Sequence, residues 1–466
     1  MPAPAQIPSR TYTERYEHGT RLRKASPRAK HADLLGPADR DPVAILAATD
    51  RSRVPELVPV RYERMLVSPF TFLRGAAAVM AEDLHHQPAP GIPVQACGDC
   101  HLMNFGAFAT PEQNILFDIN DFDETLADVD FTVDLKRLAA SVAVAALAAK
   151  LSEKRARAIA AATVAAYRGR MRGLAKRSPI EIWHSKIDLV REIERIEHRS
   201  LRRHLQNIVS KAHDHLAEDD NFPHLVKGNT SRIADRPPLI YHFSAKGDAR
   251  HHIDARRAFE TYQNRLPPDL LCLLDRYSLK DVAFKVVGVG SVGTFCAIGL
   301  FMCGDGTPLF LQIKEAGKSV LERLGPKYKS HQGMRVVEGQ RIMQAASDSF
   351  LGWTEDTASH RQFYVRQLKN RRLGSVADLV EEQALMDYAR LCGRTLARAH
   401  ARSGDAAVLS GYMGKRAVLD DALASFAMAY AARTQSDYDK LVKAKRGGKR
   451  NTDAARPAAQ GAPAPR

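Results

Sequence analysis

One stretch of the sequence concentrates side chains that can do chemistry. It reads QACGDCHLMNFGAFATPEQNILFDINDFDET, with a cysteine pair, a histidine, an asparagine and several acidic residues. Cys97, Cys100 and His101 form the C-x-x-C-H pattern of covalent haem attachment, which also contains a redox C-x-x-C. Asp99, His101 and Asn104 instead have the Gly-Asp-x-His-x-x-Asn spacing typical of a phosphate-transfer loop. The stretch is therefore a candidate for two different chemistries.

Phosphate transfer explains more of the residues in this stretch than haem attachment or redox chemistry does. Phosphoryl transfer from a nucleotide needs a carboxylate beside the attacking hydroxyl, and oxygen ligands that hold Mg²⁺ against the phosphates. We predict Asp99 and His101 as catalytic residues of one loop. Asn104, Asp121 and Asp123 are the predicted metal ligands, because a hairpin after Asn104 would return the acidic cluster to the same cleft.

A glycine-rich pattern lies much later in the chain. Gly288, Gly290 and Gly293 form G-x-G-x-x-G around Ser291. A Rossmann dinucleotide site needs this pattern between a strand and a helix, whereas strand-like TFCAIGLFM follows here. A glycine loop between two strands, with Lys314 on the next strand, is the arrangement of a kinase. We predict that these residues bind the phosphates of ATP.

The predicted role of the lysine depends on a carboxylate partner. Glu338, on the helix predicted after the hairpin, is the first candidate to pair with Lys314, and Glu322 is the second. An exposed strand lysine and an ordinary helical glutamate remain the alternatives.

The cysteines and the termini bear on the first chemistry. The N-terminus lacks the pattern of a signal peptide, and the most apolar run, LAASVAVAALAAKL, is too short to span a bilayer. The six cysteines therefore indicate reduced thiols in a cytoplasmic protein. Because haem attachment takes place outside the cytoplasm, Cys97 and Cys100 are better explained by packing.

The formal net charge of +16 points to anionic partners such as nucleotides or phosphorylated metabolites. Nucleic acid is disfavoured as the main partner, because no basic motif with interleaved aromatic residues is found. Much of the charge lies in ends rich in Pro and Ala, which predict flexible tails.

The periodicity predicts an α+β protein with a helical, β-rich, helical order. The predicted parts are a basic flexible extension, a helical lobe with the Asp99 loop, a β-rich nucleotide-binding lobe, the remaining helices, and a basic disordered tail. They span residues 1–55, 56–280, 281–370, 371–440 and 441–466.

These motifs resemble known families. GDCHLMNFG, FDINDFDET and DVDFTVDLKRLAAS are similar to the catalytic segment of aminoglycoside phosphotransferases and choline-kinase-like enzymes, and LCGRTLARAHARSGD resembles the helix before their catalytic loop. The chain also resembles, from about Arg51 to Tyr438, an uncharacterised bacterial family filed as domain of unknown function 2252. The first resemblance implies a two-lobed protein-kinase-like fold, with Asp99 as catalytic aspartate and Asn104 and Asp121 as metal ligands. Since the glycine loop follows the catalytic loop here, it also implies a circular permutation.

The sequence thus predicts an ATP- and Mg²⁺-dependent phosphotransferase that acts on a small molecule bearing a hydroxyl or amine. Transfer of AMP, or nucleotide sensing without catalysis, remains open. A metal-dependent hydrolase built on His101, Asp118, Asp121 and Asp123 is a third possibility.

Overall fold

A computed structural model describes residues 10–37, 39–210, 222–242, 253–368 and 381–454 of the chain. The protein is α+β, as predicted. Sixteen helices are described: α1 (Tyr12–Ala25), α2 (Pro42–Asp50), α3 (Val58–Met65), α4 (Pro69–Gly75), α5 (Ala77–Leu84), α6 (Thr132–Ala148), α7 (Glu153–Leu174), α8 (Pro179–Trp183), α9 (Leu189–Ile193), α10 (Arg199–Ser210), α11 (Ala255–Gln263), α12 (Pro268–Leu274), α13 (Gln332–Met343), α14 (Glu382–Ala401), α15 (Ala406–Met413) and α16 (Val418–Ala454).

Twelve strands are described. They are β1 (Pro93–Ala96), β2 (Phe105–Ala109), β3 (Ile115–Ile119), β4 (Leu126–Asp130), β5 (Leu225–Val226), β6 (Asn229–Ile233), β7 (Ile240–Tyr241), β8 (Tyr277–Lys285), β9 (Cys296–Cys303), β10 (Pro308–Glu315), β11 (Gly352–Asp356) and β12 (Arg361–Gln367).

Six of these strands form one antiparallel sheet in the order β11-β12-β10-β9-β8-β7. The predicted hairpin turn lies between β9 and β10, where Pro308 pairs with Met302. Helix α11 packs on the sheet and contributes Phe259 and Tyr262 to its core. The sheet therefore has a hydrophobic core of its own.

A second, larger core belongs to the helices. Most of the Ala-rich run lies within α6, which is buried along nearly its whole length and packs against α7 and α16. Small side chains at these positions let neighbouring helices approach closely on every side. Among the described residues, no helix is both long and apolar enough to cross a membrane.

Two short β-ladders bring the predicted catalytic loop beside the acidic cluster. Strand β1 pairs with β4 so that Ala96 lies opposite Leu126, and β2 pairs with β3 so that Phe105 lies opposite Ile119. The loop after β1 and the loop after β3 therefore leave the ladders at neighbouring ends. The amide N–H of Asn120 donates to the carbonyl oxygen of Asn104 at 2.8 Å, which joins the two loops directly.

The N-terminal region differs from the predicted flexible extension over residues 1–55. Residues 1–9 lie outside the described part, but α1 packs against α15 and α2 buries Leu46. The reason is close backbone approach: a Cβ on Gly19 would lie 2.0 Å from the carbonyl oxygen of Val408, so only glycine fits at this crossing.

Two other predicted boundaries also differ from the structure. Helix α16 continues to Ala454, so the predicted tail over 441–466 is helical up to that residue, and residues 455–466 lie outside the described part. The sheet and its core begin before residue 281, because β7 and α11 already belong to them. Sequence periodicity could not assign these two short elements to a sheet formed by later residues.

Candidate functional site

The Asp99 loop is held in place by a buried network. Asp134, near the start of α6, accepts hydrogen bonds from the backbone N–H groups of Cys97 at 2.8 Å and Gly98 at 3.0 Å. Its carboxylate also lies 3.1 Å from Nε2 of His400 on α14, and Nδ1 of that ring lies 2.9 Å from the hydroxyl of Tyr167. The loop is thus fixed to two helices of the core.

Gly98 is required by the shape of this loop. Its φ is +88°, and a Cβ on it would lie 2.5 Å from the carbonyl oxygen of Glu124. Both facts exclude an L side chain, because the conformation is strained and a backbone atom occupies the space. The close contact with Glu124 also presses the Asp99 loop against the acidic loop.

Asp99 follows directly and remains partly accessible, with 18% of its side chain exposed. Nε of Arg137 donates to Asp99 Oδ1 at 2.7 Å. His101 Nε2 lies 3.6 Å from Asp99 Oδ2, and the side-chain amide of Asn104 donates to the carbonyl oxygen of Asp99 at 2.6 Å. The last bond turns the side-chain nitrogen of Asn104 towards the backbone, which leaves its oxygen as the atom available to a metal ion.

In the acidic loop, residues 120–125, the pKa values of Asp123 and Asp121 are shifted in opposite directions. Asp123 accepts hydrogen bonds from Tyr364 at 2.8 Å and Ser291 at 2.9 Å, and it forms an ion pair with Lys314. Burial raises the pKa of Asp123, but the Lys314 ammonium and these hydrogen bonds outweigh it and hold the pKa at about 2. Burial and the neighbouring Asp123 charge raise the pKa of Asp121.

Lys314 lies on β10 and is 2% exposed. Its Nζ donates to Ser291 Oγ at 3.0 Å, in the glycine loop between β8 and β9. Burial lowers the pKa of Lys314, and the opposing charges of Asp123 and Asp121 outweigh burial and raise it. The lysine therefore carries a positive charge at the place where the sheet faces the acidic loop.

These groups line one cavity of about 450 Å³. Of the predicted site residues, the cavity is lined by Asp99, His101, Asn104, Asp121, Asp123, Gly288, Gly290, Ser291 and Lys314. The structure thus brings together two sets of residues that the sequence places far apart: Lys314 and Asp123 are separated by 191 positions.

Two predicted site residues do not line the cavity. Gly293 packs against the side chain of Arg53 at the far end of the glycine loop. Glu338 accepts a hydrogen bond from the Tyr328 hydroxyl at 3.3 Å, so the predicted pairing of Glu338 with Lys314 is corrected to Asp123. The acidic loop therefore reaches the lysine directly, and the helical glutamate contacts Tyr328 instead.

The cavity also contains arginines that the sequence did not single out. Arg366 follows Tyr364 by two positions on β12, and this spacing on a strand predicts a shared face. Arg53, Arg61 and Arg74 come from the N-terminal helices and the turn after α2. No pattern distinguishes them from the other basic residues of that region.

Other chemistries have less support from the geometry. Cys97, Cys100 and Asp134 are close enough together to hold a metal ion. However, both oxygens of Asp134 already accept hydrogen bonds, and burial raises the pKa of both thiols, which disfavours the thiolates that bind metals. Asp118 forms an ion pair with the buried Arg398, so it belongs to the core and not to a hydrolase site with His101.

The chain belongs to the family described as "uncharacterized protein conserved in bacteria (DUF2252)", which matches residues 53–444. No curated protein matches the chain, and no protein of solved structure does so. The match includes all the predicted site residues.

Proposed function

We propose that this member of the DUF2252 family is an ATP- and Mg²⁺-dependent phosphotransferase that acts on a small molecule bearing a hydroxyl or amine. One observation carries the proposal: the glycine loop and Lys314 line the same cavity as Asp99, Asn104 and Asp121. A kinase needs these two sets on opposite sides of a nucleotide.

The residues fit the groups that such a reaction requires. Carbonyl and carboxylate oxygens are the ligands that Mg²⁺ prefers, and Asn104, Asp121 and Asp123 supply them at one end of the cavity. Bound Mg²⁺ would neutralise charge on the phosphates. Lys314 and the backbone N–H groups of the glycine loop would bind the remaining phosphate oxygens.

Asp99 would act on the acceptor. Its carboxylate is partly exposed to the cavity and is oriented by Arg137, so it can accept the proton of an acceptor hydroxyl. As the acceptor oxygen bonds to the γ-phosphorus, the bond from that phosphorus to the bridging oxygen breaks, and ADP leaves with the bonding electron pair.

A two-lobed, circularly permuted kinase-like fold would explain the order of the elements. The strands with the glycine loop and Lys314 follow the Asp99 loop in sequence, although they face it in space. Helix α14, which resembles the helix before the catalytic loop of aminoglycoside phosphotransferases, supports that loop here through His400 and Asp134. A break between this helix and the loop would produce the observed order.

Nucleotide binding and transfer can be tested separately with two variants. Mg·ATP is expected to raise the melting temperature of the full chain, because a ligand that binds only the folded state stabilises it. Lys314→Ala should reduce this shift, whereas Asp99→Asn should keep it and abolish transfer. Asn is preferred to Ala at residue 99 because Arg137, which is 1% exposed, would otherwise lose its partner.

Lys280→Ala provides the matched control, since Lys280 is an exposed lysine on β8, in the same sheet. It should leave the shift unchanged. Absence of any shift with millimolar Mg·ATP in folded wild-type protein would refute the proposal. Release of pyrophosphate instead of ADP during turnover would assign AMP transfer, and binding without turnover of any acceptor would assign sensing.

A further inference from the structure

Arg366 lies on β12 and lines the cavity, but the proposed function assigns it no role. Its Nε donates to Oε1 of Gln312 at 3.0 Å, and the two residues lie opposite each other on neighbouring strands. Its Nη1 donates to the carbonyl oxygen of Asn120, in the acidic loop, at 3.2 Å. The ring of Tyr364 packs on a third side, with its centroid 5.7 Å from Cζ of Arg366. The guanidinium group therefore has a fixed position where the sheet meets the acidic loop.

The glutamine that supports Arg366 is also fixed. Gln312 is 2% exposed, and its Nε2 donates to Sγ of Cys296 on β9 at 3.2 Å. The side-chain nitrogen of Gln312 thus faces β9, and its oxygen faces Arg366. A row of polar side chains therefore crosses three strands and orients the guanidinium group before any ligand binds.

Part of the hydrogen-bonding capacity of Arg366 is unused. A guanidinium group carries five N–H donors. The bonds to Gln312 and Asn120 engage Nε and Nη1, whereas within the described residues Nη2 has no hydrogen-bond acceptor. In the same part of the chain, Arg366 forms no ion pair with a carboxylate. A guanidinium group with unused donors at a cavity is typical of a site for an anion.

Asp121 is a carboxylate of the same cavity that is also without an ion-pair partner among the described residues. Its Oδ1 accepts a hydrogen bond from the backbone N–H of Asp123 at 3.1 Å. Asp123, in contrast, is already paired with Lys314. Asp121 and Arg366 are linked through Asn120, which precedes Asp121 and accepts the bond from Arg366. A carboxylate and a guanidinium group thus lie at one end of the cavity without pairing with each other.

A metal ion with a bound phosphate fits between these two charges. Mg²⁺ binds carboxylate oxygens, and in phosphoryl transfer the metal ions bridge oxygens of the β- and γ-phosphates. Carboxylate, metal ion, phosphate and guanidinium then alternate in charge. Planar guanidinium groups also bind phosphate oxygens through paired N–H donors.

We propose that Arg366 binds the β- and γ-phosphates of the nucleotide beside the metal site at Asp121. This inference rests on the proposed function, since it adds a phosphate-binding residue to the same cavity. It also assigns Arg366 a role in specificity: the preference of the protein for ATP over AMP depends on this arginine.

The experiment measures the heat of binding of a non-hydrolysable ATP analogue and of AMP to the full chain in saturating Mg²⁺. Arg366→Gln should weaken binding of the ATP analogue about ten-fold or more, as expected for loss of a charged hydrogen-bond donor, and should change the affinity for AMP by less than about two-fold. Arg276→Gln is the matched control, because Arg276 is exposed, precedes β8 of the same sheet and does not line the cavity. It should leave both affinities unchanged.

A second variant decides the question if Arg366→Gln does not fold. Arg366→Lys keeps the positive charge beside Asp121 and removes the paired donors. A loss of about three-fold or more in affinity for the ATP analogue, with the affinity for AMP within about two-fold, then supports the inference. A smaller loss overturns it.

Two results with folded Arg366→Gln would overturn the inference. One is an affinity for the ATP analogue within about two-fold of the wild-type value. The other is a loss of affinity by the same factor for the ATP analogue and for AMP, which would assign Arg366 a structural role in the sheet.

Failure of the proposed function has a different signature. Wild-type protein that binds the ATP analogue but transfers no phosphate refutes the phosphotransferase assignment, and Arg366 is still judged by binding alone. If wild-type protein binds no nucleotide, inorganic tripolyphosphate with Mg²⁺ becomes the probe. A ten-fold loss in Arg366→Gln then upholds Arg366 as a polyphosphate-binding residue, and equal affinities or no binding to the wild type overturn it.

Discussion

Replacing Asp134 by Asn tests how the Asp99 loop is held, since it removes the negative charge and changes the side-chain volume very little. Oδ1 of Asp134 accepts from Gly98, and Oδ2 accepts from Cys97 and lies 3.1 Å from His400 Nε2. An Asn side chain has a single acceptor oxygen, so its NH₂ group must face at least one backbone N–H in either orientation. That N–H is buried, so the lost acceptor leaves it unsatisfied.

The structure gives the size of the effect. One buried donor without an acceptor costs about 1–3 kcal/mol, and each remaining bond loses about 1 kcal/mol when its acceptor becomes neutral. The sum is about 3–5 kcal/mol of the free energy of unfolding, a large part of the 5–15 kcal/mol that is typical of folded proteins.

The measurement combines urea unfolding at pH 7 with hydrogen exchange of the segment that contains Cys97 and Gly98. Exchange there should quicken more than in the sheet, because the lost bonds are local. Asp128→Asn is the control, because Asp128 is exposed and has a φ of +58°, a conformation that Asn adopts readily. The free energy of unfolding of this variant should differ from that of the wild type by less than about 0.5 kcal/mol. A loss below about 1 kcal/mol in Asp134→Asn, with unchanged exchange at Gly98, would refute the anchoring role of Asp134.

Two further predictions concern the loops around Asp99. Burial raises the pKa of Glu124 to about 7 from its ordinary 4.5, so the proton on Glu124 stabilises the folded protein fully below about pH 4.5, and this stabilisation is lost as pH rises through about 7. Glu124→Gln should therefore flatten the fall in melting temperature between pH 5 and pH 8, and an unchanged slope would contradict this assignment. The double variant Cys97→Ala, Cys100→Ala should keep nucleotide binding, because the proposed function assigns no role to either thiol; a folded variant that binds no Mg·ATP would instead restore thiol or metal chemistry as a candidate.

The local sequence pattern was sufficient to predict those elements whose structure is decided by neighbouring residues. The strands around the Asp99 loop and the hairpin that carries Lys314 follow from alternation and turn residues within short windows. The return of Asp121 to the cleft could be predicted for the same reason, because only one short hairpin separates it from Asn104.

The rest depends on contacts between residues far apart in sequence. The partner of Lys314 is decided by where the acidic loop meets the sheet. The prediction searched the helix that follows the hairpin, and that part of the sequence contains no information about the position of Asp123. Helix α1 was missed because it is polar along most of its length and is held by the close glycine crossing with α15. Composition assigns such a segment to a tail, and Arg53 was overlooked with it.

The supports of the Asp99 loop also set an order of events during synthesis. Asp134 is made soon after the loop, but His400, which bonds to it, lies 266 positions later, and Arg398 reaches back 280 positions to Asp118. Helix α1 likewise packs against α15, which is synthesised near the end of the chain. A ribosome adds about 5–20 residues per second, so the N-terminal part of the nascent chain spends on the order of 10–60 s without the partners that complete its core. The surface of α6 that α16 covers in the folded protein is without its partner during that time.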